Sequence, residues 1–370
     1  MPSVKVVAGI DYLITKTADE IASDLQAKDV SDCVDFIDRI DPLLAYNIFQ
    51  SANISGNKVQ AILYQFAINK DVDKLIDIMI AGSNNNHITS NTTLTSKIVT
   101  YRDLLIDSGV SLSLDSQPNI VVARNIFNYG SIVKTTTGGA AGSPAGGAGG
   151  GGLIILTKNL YGGNINANGV NGSGYYSRSC VIGSAGGSGA MIVVGTDSPG
   201  NGGDGGGSSR GAGGSPGGGG GGSHTPTVCD GGNGGVISLT SFSTYDDLVI
   251  HVLKYVIDEF ITAVLGKTLT NRVTLDIKGA GGGGAGDEGY DRASGGGGGS
   301  GGQIIVIADE VQSVSLSANG GNGGTPENFG AYDAGGGGGG GGVIYVFYRD
   351  YYSEITLSVS GGSGGGGDYK

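Results

Sequence analysis

The chain has 370 residues, 77 of them glycine, and a formal net charge of −12. With only 8 prolines and no glycine at every third position it is not collagen, and apolar runs such as Leu153–Leu156 and Ile304–Ile307 exclude simple disorder. Charged residues make up 15% of the chain and form no basic stripe, so no nucleic-acid partner is expected.

The first part of the chain carries helical periodicity. Thr17-Ala18-Asp19-Glu20 is a capping box ahead of Ile21 and Leu25. Val30, Val34, Ile37 and Ile40 form a second stripe, stopped by Asp41-Pro42. A third helix is expected from Leu43 to Ala52. Val59, Leu63, Phe66 and Ala67 mark a fourth, and Val72, Leu75, Ile76 and Ile80 a fifth that stops at Gly82. Short amphipathic helices on short links predict a small bundle without a catalytic constellation, suited to attachment or oligomerisation. The polar stretch 83–96 is expected to be a linker, closing an α-helical domain over 1–96. The N-terminus lacks a secretory pattern, which suits a surface protein assembled inside a cell and released, as virion components are.

From Lys97 the apolar period becomes two. Ile98–Ile106, Val110–Leu114 and Asn119–Phe127 are short strands separated by Asp107-Ser108-Gly109 and Asp115-Ser116-Gln117-Pro118, as in the first coils of a parallel β-helix. A unit then recurs in which glycines lead into an apolar strand, and a turn leads to an alternating strand. Gly151–Leu156 goes with Asn164–Gly169, Gly301–Ala308 with Ser313–Gly321, and Gly341–Val346 with Glu354–Gly362. A split copy joins Gly234–Ser241 to Arg272–Gly279, and Met191–Gly195 is a further candidate strand. The first strand of each unit is apolar at successive positions, so both its faces should be covered; the second alternates and should meet solvent on one face. Stacking of units would complete their cores.

Because the glycine runs recur at the same place in each unit, they are expected to pack against one another as polyproline-II-like strands and to cover the strand that follows. Between the halves of the split copy, residues 245–266 predict an amphipathic helix with Val249, Val252, Val256, Phe260 and Val264 on its apolar face. Asp247, His251, Lys254 and Asp258 fall opposite, a charged stripe that argues against membrane spanning. The fold expected is therefore mainly β: a small N-terminal helical bundle, then a glycine-rich parallel β-helix-like repeat domain over 97–370 with one helical insertion.

Chemistry is weakly signalled. Asp287, Glu288 and Asp291 in a glycine loop, and Asp309-Glu310 in an expected turn, are explained as solvated charges, so no catalytic residue is assigned and the chain is not expected to be an enzyme. Cys33, Cys180 and Cys229 show no metal-knuckle spacing; Cys180 and Cys229 either pair or stay free. Gly202–Gly206 and Cys229–Gly235 miss the calcium-loop spacings, and the glycine runs precede strands rather than phosphate-cradling helices. No metal or cofactor is expected.

Recognition is better supported. Tyr175, Tyr176, Arg178, Tyr290, Arg292, Asn328, Phe329 and Tyr332 interleave aromatic and polar groups with glycine, and flat rings beside amide and guanidinium donors suit a glycan. They are the candidate receptor contacts. The repeats Ser317–Gly324 and Gly339–Val346 resemble those of glycine-rich β-helical viral adhesins, the tail fibres and tailspikes, including those of archaeal viruses. The resemblance covers about residues 97–370; the long strands and the helical insertion depart from the polyglycine adhesins of tailed phages. It implies a virion or cell-surface structural protein, a homo-oligomer. Its helical domain would dock on other virion or surface proteins, and its loops would bind a host surface glycan or protein. The alternatives are a purely structural virion or surface-layer component, and a glycan depolymerase.

Overall fold

The computed structural model describes residues 4–7, 11–14, 16–116, 118–135, 141–142, 145–177, 189, 218–219, 236–241, 246–283, 292–326 and 335–366; at 4–7, 11–14, 176–177, 236–241 and 292–293 it describes the backbone alone. A hairpin of β1 (Val4–Val7) and β2 (Asp11–Ile14) comes first. Five helices follow: α1 (Ala18–Ala27), α2 (Val30–Arg39), α3 (Pro42–Gln50), α4 (Gly56–Ile68) and α5 (Val72–Ile80). The expected capping box is formed, with Glu20 N bonded to the Thr17 hydroxyl and Thr17 N to the Glu20 carboxylate. Asp41-Pro42 both ends α2 and starts α3, the Asp41 carboxylate accepting from Leu43 N and Leu44 N while Pro42 takes the first helical position.

The strands after α5 alternate between two sheets. β3 (Asn86–Ile88), β5 (Ile98–Ile106), β7 (Asn119–Asn128) and β9 (Gly152–Tyr161) fall in one; β4 (Thr92–Leu94), β6 (Ser111–Leu114), β8 (Ser131–Lys134) and β10 (Asn164–Asn166) fall in the other. The stretch expected as a linker thus carries the first strand of each sheet. β11 (Gly174–Ser177), β12 (Val236–Ser241), α6 (Asp246–Glu259) and β13 (Arg292–Gly295) follow. Alternation then resumes with β14 (Gln303–Gln312), β15 (Ser315–Ser317), β16 (Val343–Ser353) and β17 (Thr356–Ser358). The seven-stranded sheet has the order β12-β16-β14-β9-β7-β5-β3 and the six-stranded sheet β17-β15-β10-β8-β6-β4, all paired in parallel.

Six α-helices beside two parallel sheets make the fold mixed α/β, not mainly β. The reason lies in the doubly apolar strands. Ile304, Val306, Ile344 and Val346 face the six-stranded sheet in one core, while Ile305, Ile307, Tyr345 and Phe347 face the helices in another. Helical residues such as Phe49, Leu63, Ile76, Val252 and Phe260 complete that second core. Helices, not glycine runs, cover the outer face of the long strands, which corrects the covering role expected of the glycines. The alternating strands behave as expected: Val314, Leu316 and Ala318 are buried between the sheets.

The inserted helix forms as α6 and ends in a π-helical turn over Phe260–Val264. No helix among the described residues is long and apolar enough to cross a membrane. One position on it contradicts the expected charged face: Asp258 is fully buried. Its carboxylate accepts from Tyr64 Oη at 2.9 Å, Gln60 Nε2 at 2.7 Å and Val273 N at 2.7 Å. Next to it Glu259 accepts from Lys97 Nζ at 2.9 Å and Arg272 at 2.6 Å. The Arg272–Gly279 stretch, expected as the second strand of the split copy, is not a strand of either sheet; its Leu275 and Ile277 belong to the helix-side core.

The glycine segments extend the strands lengthwise. Residues 296–302 bond to three neighbours in turn. Gly296, Gly299 and Gly302 donate to the carbonyls of Ser173, Val170 and Ala167; Gly297 and Ser300 to Gly283 and Ala280; and Gly298 and Gly301 to Gly337 and Gly340, at 2.7–3.0 Å. This is a period of three, where a β-strand has two. The spacing tolerates no side chain: a Cβ on Gly298 would stand 1.9 Å from the Gly321 carbonyl oxygen. Asparagine side chains stitch the outer rows, Asn168 and Asn171 accepting from Asn319 N and Asn322 N, and Asn319 and Asn322 from Ser360 N and Ser363 N.

Candidate recognition surface and buried charges

The glycine layer has two ends. At one it runs into the sheets, where Gly302 precedes β14 and Gly342 precedes β16. Near the other, Ser173, Gly296, Gly324, Gly336 and Gly365 form one cross-section. Gly296 N donates to Ser173 O at 2.9 Å, Gly324 N to Gly296 O at 2.8 Å, Gly336 N to Gly324 O at 3.1 Å and Gly365 N to Gly336 O at 2.8 Å. β11 begins directly after Ser173 and β13 ends directly before Gly296, so both adjoin this cross-section. Gly324 and Gly336 bracket Asn328, Phe329 and Tyr332; the β11 and β13 strands flank Arg178 and Tyr290.

Two of these segments are joined directly. β11 and β13 pair antiparallel, setting Tyr175 opposite Ser294, Tyr176 opposite Ala293 and Ser177 opposite Arg292. Tyr175 is half-buried, and Ser294 is buried with no hydrogen-bond partner for its hydroxyl among the described residues. The ribbon thus sets the backbone of Arg292 close to that of Tyr175 and Tyr176, although it lies far from them in the chain. Arg178, Tyr290, Asn328, Phe329 and Tyr332 lie outside the described residues, as do Cys180, Cys229, Asp287, Glu288, Asp291 and Met191.

No protein-family model, curated protein or solved structure matches this chain. Its functional reading therefore rests on its own residues.

A second concentration of polar chemistry lies between α5 and the seven-stranded sheet. Arg124 on β7, Lys158 on β9, Asp309 on β14 and Arg349 on β16 stand where the strand pairings skip a residue, and β16 bulges there. From α5, Asp77 meets Arg124 at 3.2 Å and Lys158 at 3.0 Å, and Asp73 meets Lys158 at 3.5 Å and also pairs with Arg349. Arg349 binds Asp309 at 2.8 Å as well. Burial and the adjacent Asp73 carboxylate push Asp309 up to about 7. Burial would raise Asp73 too, but hydrogen bonds from Arg349 and Asp309 and the charge of Lys158 outweigh it and hold Asp73 low.

Such a raised and lowered carboxyl pair is the kind of arrangement that serves acid–base catalysis in clefts. Here Asp309 is only 7% exposed, with Oδ1 buried and lacking a partner among the described residues. It lies on a strand beneath a helix, not in the turn expected from sequence. Sequence reading missed this cluster because its members are separated by up to 276 residues. Another perturbed cation, Lys134, is buried at the foot of the glycine layer; burial pulls it down to about 8 while its Nζ donates to Leu114 O at 3.1 Å and Thr135 O at 3.0 Å. Among the described residues no group of His, Cys, Asp or Glu suits a metal ion. Cys33 is a buried free thiol donating to Leu25 O at 3.4 Å.

Proposed function

We propose that this chain is a structural protein of a virion or cell surface, a fibre or spike component whose glycine-layer tip binds a host surface glycan or protein. In this reading the two parallel sheets are two faces of a β-solenoid, supported by the chain's alternation between them from β3 to β10 and from β14 to β17. The glycine segments continue the solenoid as a bundle of polyproline-II-like strands, supported by their three-residue bonding period. The observation that carries the recognition role is the β11–β13 ribbon, which adjoins the Ser173–Gly296 end of the glycine-layer cross-section and carries Tyr175, Tyr176 and Arg292. In sequence, Gly324 and Gly336 of the same cross-section flank Asn328, Phe329 and Tyr332. Loops gathered at one end of a rigid scaffold are where binding residues concentrate.

The test is a glycan array probed with the intact chain, followed by adsorption to whole cells carrying the selected glycan. Binding that is lost on combining Tyr175→Ala, Tyr176→Ala, Phe329→Ala and Tyr332→Ala supports recognition. Adsorption unchanged by all four leaves the purely structural role. Depolymerase activity is disfavoured by the burial of Asp309 under α5; released oligosaccharide that disappears in Asp287→Ala would reinstate it.

A further inference from the structure

Among the described residues, the two ends of the strand array are unfinished in complementary ways. β12 pairs with the first half of β16, Val236–Ser241 against Val343–Tyr348, and stops. Beyond it, no described strand pairs with that side of Tyr351–Ser353. At the opposite edge, β3 covers the second half of β5, Asn86–Ile88 against Leu104–Ile106, and Arg102 N donates to Asn84 O at 3.1 Å just before it; no described strand pairs with Ile98–Tyr101 on that side.

Following the registers across the sheet puts both half-strands on one scale. Ser241 is level with Tyr348, Ala308, Thr157, Ala123 and finally Tyr101. Asn86 is level with Leu104, Ile126, Leu160, Val311 and Tyr352. β12 therefore fills the levels up to that of Tyr101, and β3 those from Leu104 onward. Set in one row, they would form a single full-length strand with a gap at the level of the charged skip. In the other sheet the open edges are also level: Thr93 matches Ser113, Val133, Asn166, Ser317 and Ser358.

We propose that the array continues from one copy of the chain into the next, β3 and β4 of a second copy docking beside β12, on the open stretch of β16, and on β17. Every pairing stays parallel, as it is within the chain. Three further features support this occupant. The core between the sheets is incomplete at both ends, where Leu94, Val99 and Tyr101 at one edge and Ile355 and Leu357 at the other are only partly buried. Thr356 N and Ser358 O bond inward to Val314 and Ala318, so the intervening Leu357 turns its backbone groups to the open side. And the open edges, Asn86–Ile88, Thr92–Leu94, Tyr351–Ser353 and Thr356–Ser358, contain none of the lysines or prolines that blunt solvent-facing strands. A head-to-tail contact of this kind joins two different surfaces and propagates into a filament rather than closing as a two-fold dimer.

This proposal deepens the structural half of the function above and is independent of what the tips bind: loss of adsorption with assembly intact would refute recognition alone. The test is sedimentation of the full chain over a concentration series, with electron microscopy. The wild type should form a ladder of linear species growing with concentration. Thr93→Glu with Ser358→Glu sets like charges against each other across the contact and should leave monomer only, with a melting curve matching that of the wild type at a dilution where both are monomeric. Thr93→Lys with Ser358→Glu should restore the ladder. A wild type that stays monomeric or stops at a dimer overturns the proposal, as does a double-glutamate variant that assembles like the wild type, or a charge-swapped variant that folds and does not assemble.

Discussion

Gly338 and Gly362 approach so closely that a Cβ on Gly338 would stand 1.9 Å from the Gly362 carbonyl oxygen. The run of glycines at Gly335–Gly342 is therefore a packed element with backbone for neighbours on its sides. Gly338→Val should abolish cooperative folding of the glycine layer, a loss of more than about 4 kcal/mol, since backbone cannot yield as a side-chain end can. Gly366→Ala is the control, because its nearest neighbour is Thr325 Cγ2 at an ordinary 3.8 Å, and it should leave the thermal melt unchanged. A silent Gly338→Val would mean that the run is a loose tether.

The Asp309–Asp73 pair makes helix docking depend on pH. Asp309 titrates near 7 in the folded chain, above an ordinary carboxyl near 4, so between these values the folded state holds a proton that the unfolded state has lost. Its contribution is complete at low pH and declines as pH rises through this window, with a slope of up to about 1.4 kcal/mol per pH unit. Asp73, held low, acts oppositely and loses its contribution as pH falls below the ordinary carboxyl range. Asp309→Asn, which imitates the protonated form, should flatten the decline between about pH 4 and 7 in denaturant titrations. An unaltered pH profile would remove Asp309 from this role.

Asp258 ties α6 to α4 and to the segment after the π-helical turn. Asp258→Ala would remove the acceptor of the part-buried Tyr64 hydroxyl and Val273 N–H, while the Gln60 amide keeps Asn271 O at 2.8 Å. It should cost about 3 kcal/mol or more in chemical denaturation. Tyr64→Phe removes one donor and keeps the ring, so its cost should be about 1 kcal/mol. Equal costs for the two would show that the carboxylate is not the hub of this network.

Tyr175 and Arg292 lie on paired strands at the glycine-layer tip. If the tip binds glycan by ring stacking, Tyr175→Phe should retain most of the affinity measured on the array and Tyr175→Ala should lose at least about tenfold. Both should melt like the wild type, since the tip projects beyond the packed glycine cross-section. Equal binding by wild type and Tyr175→Ala would remove this residue from the contact surface.

Local rules were enough to place the helices, the Thr17 cap and the two strand types. Thr17 and Glu20 satisfy each other's backbone within four residues, Asp41-Pro42 punctuates two helices at once, and the inward positions Val314, Leu316 and Ala318 announce a half-buried strand by alternation alone. The packing of the glycine runs also followed from their recurrence, because only residues without a Cβ allow backbone to approach backbone. What covers Ile305, Ile307, Tyr345 and Phe347 was decided only by the tertiary structure: an apolar face records that it is buried, not against what, and helices rather than glycines supply its partner. Asp258 looked solvated because helical periodicity cannot see Tyr64 and Gln60 arriving from another helix. The Asp73–Arg349–Asp309 cluster and the matched half-rows of β12 and β3 are likewise products of register between distant strands, which composition and spacing do not encode.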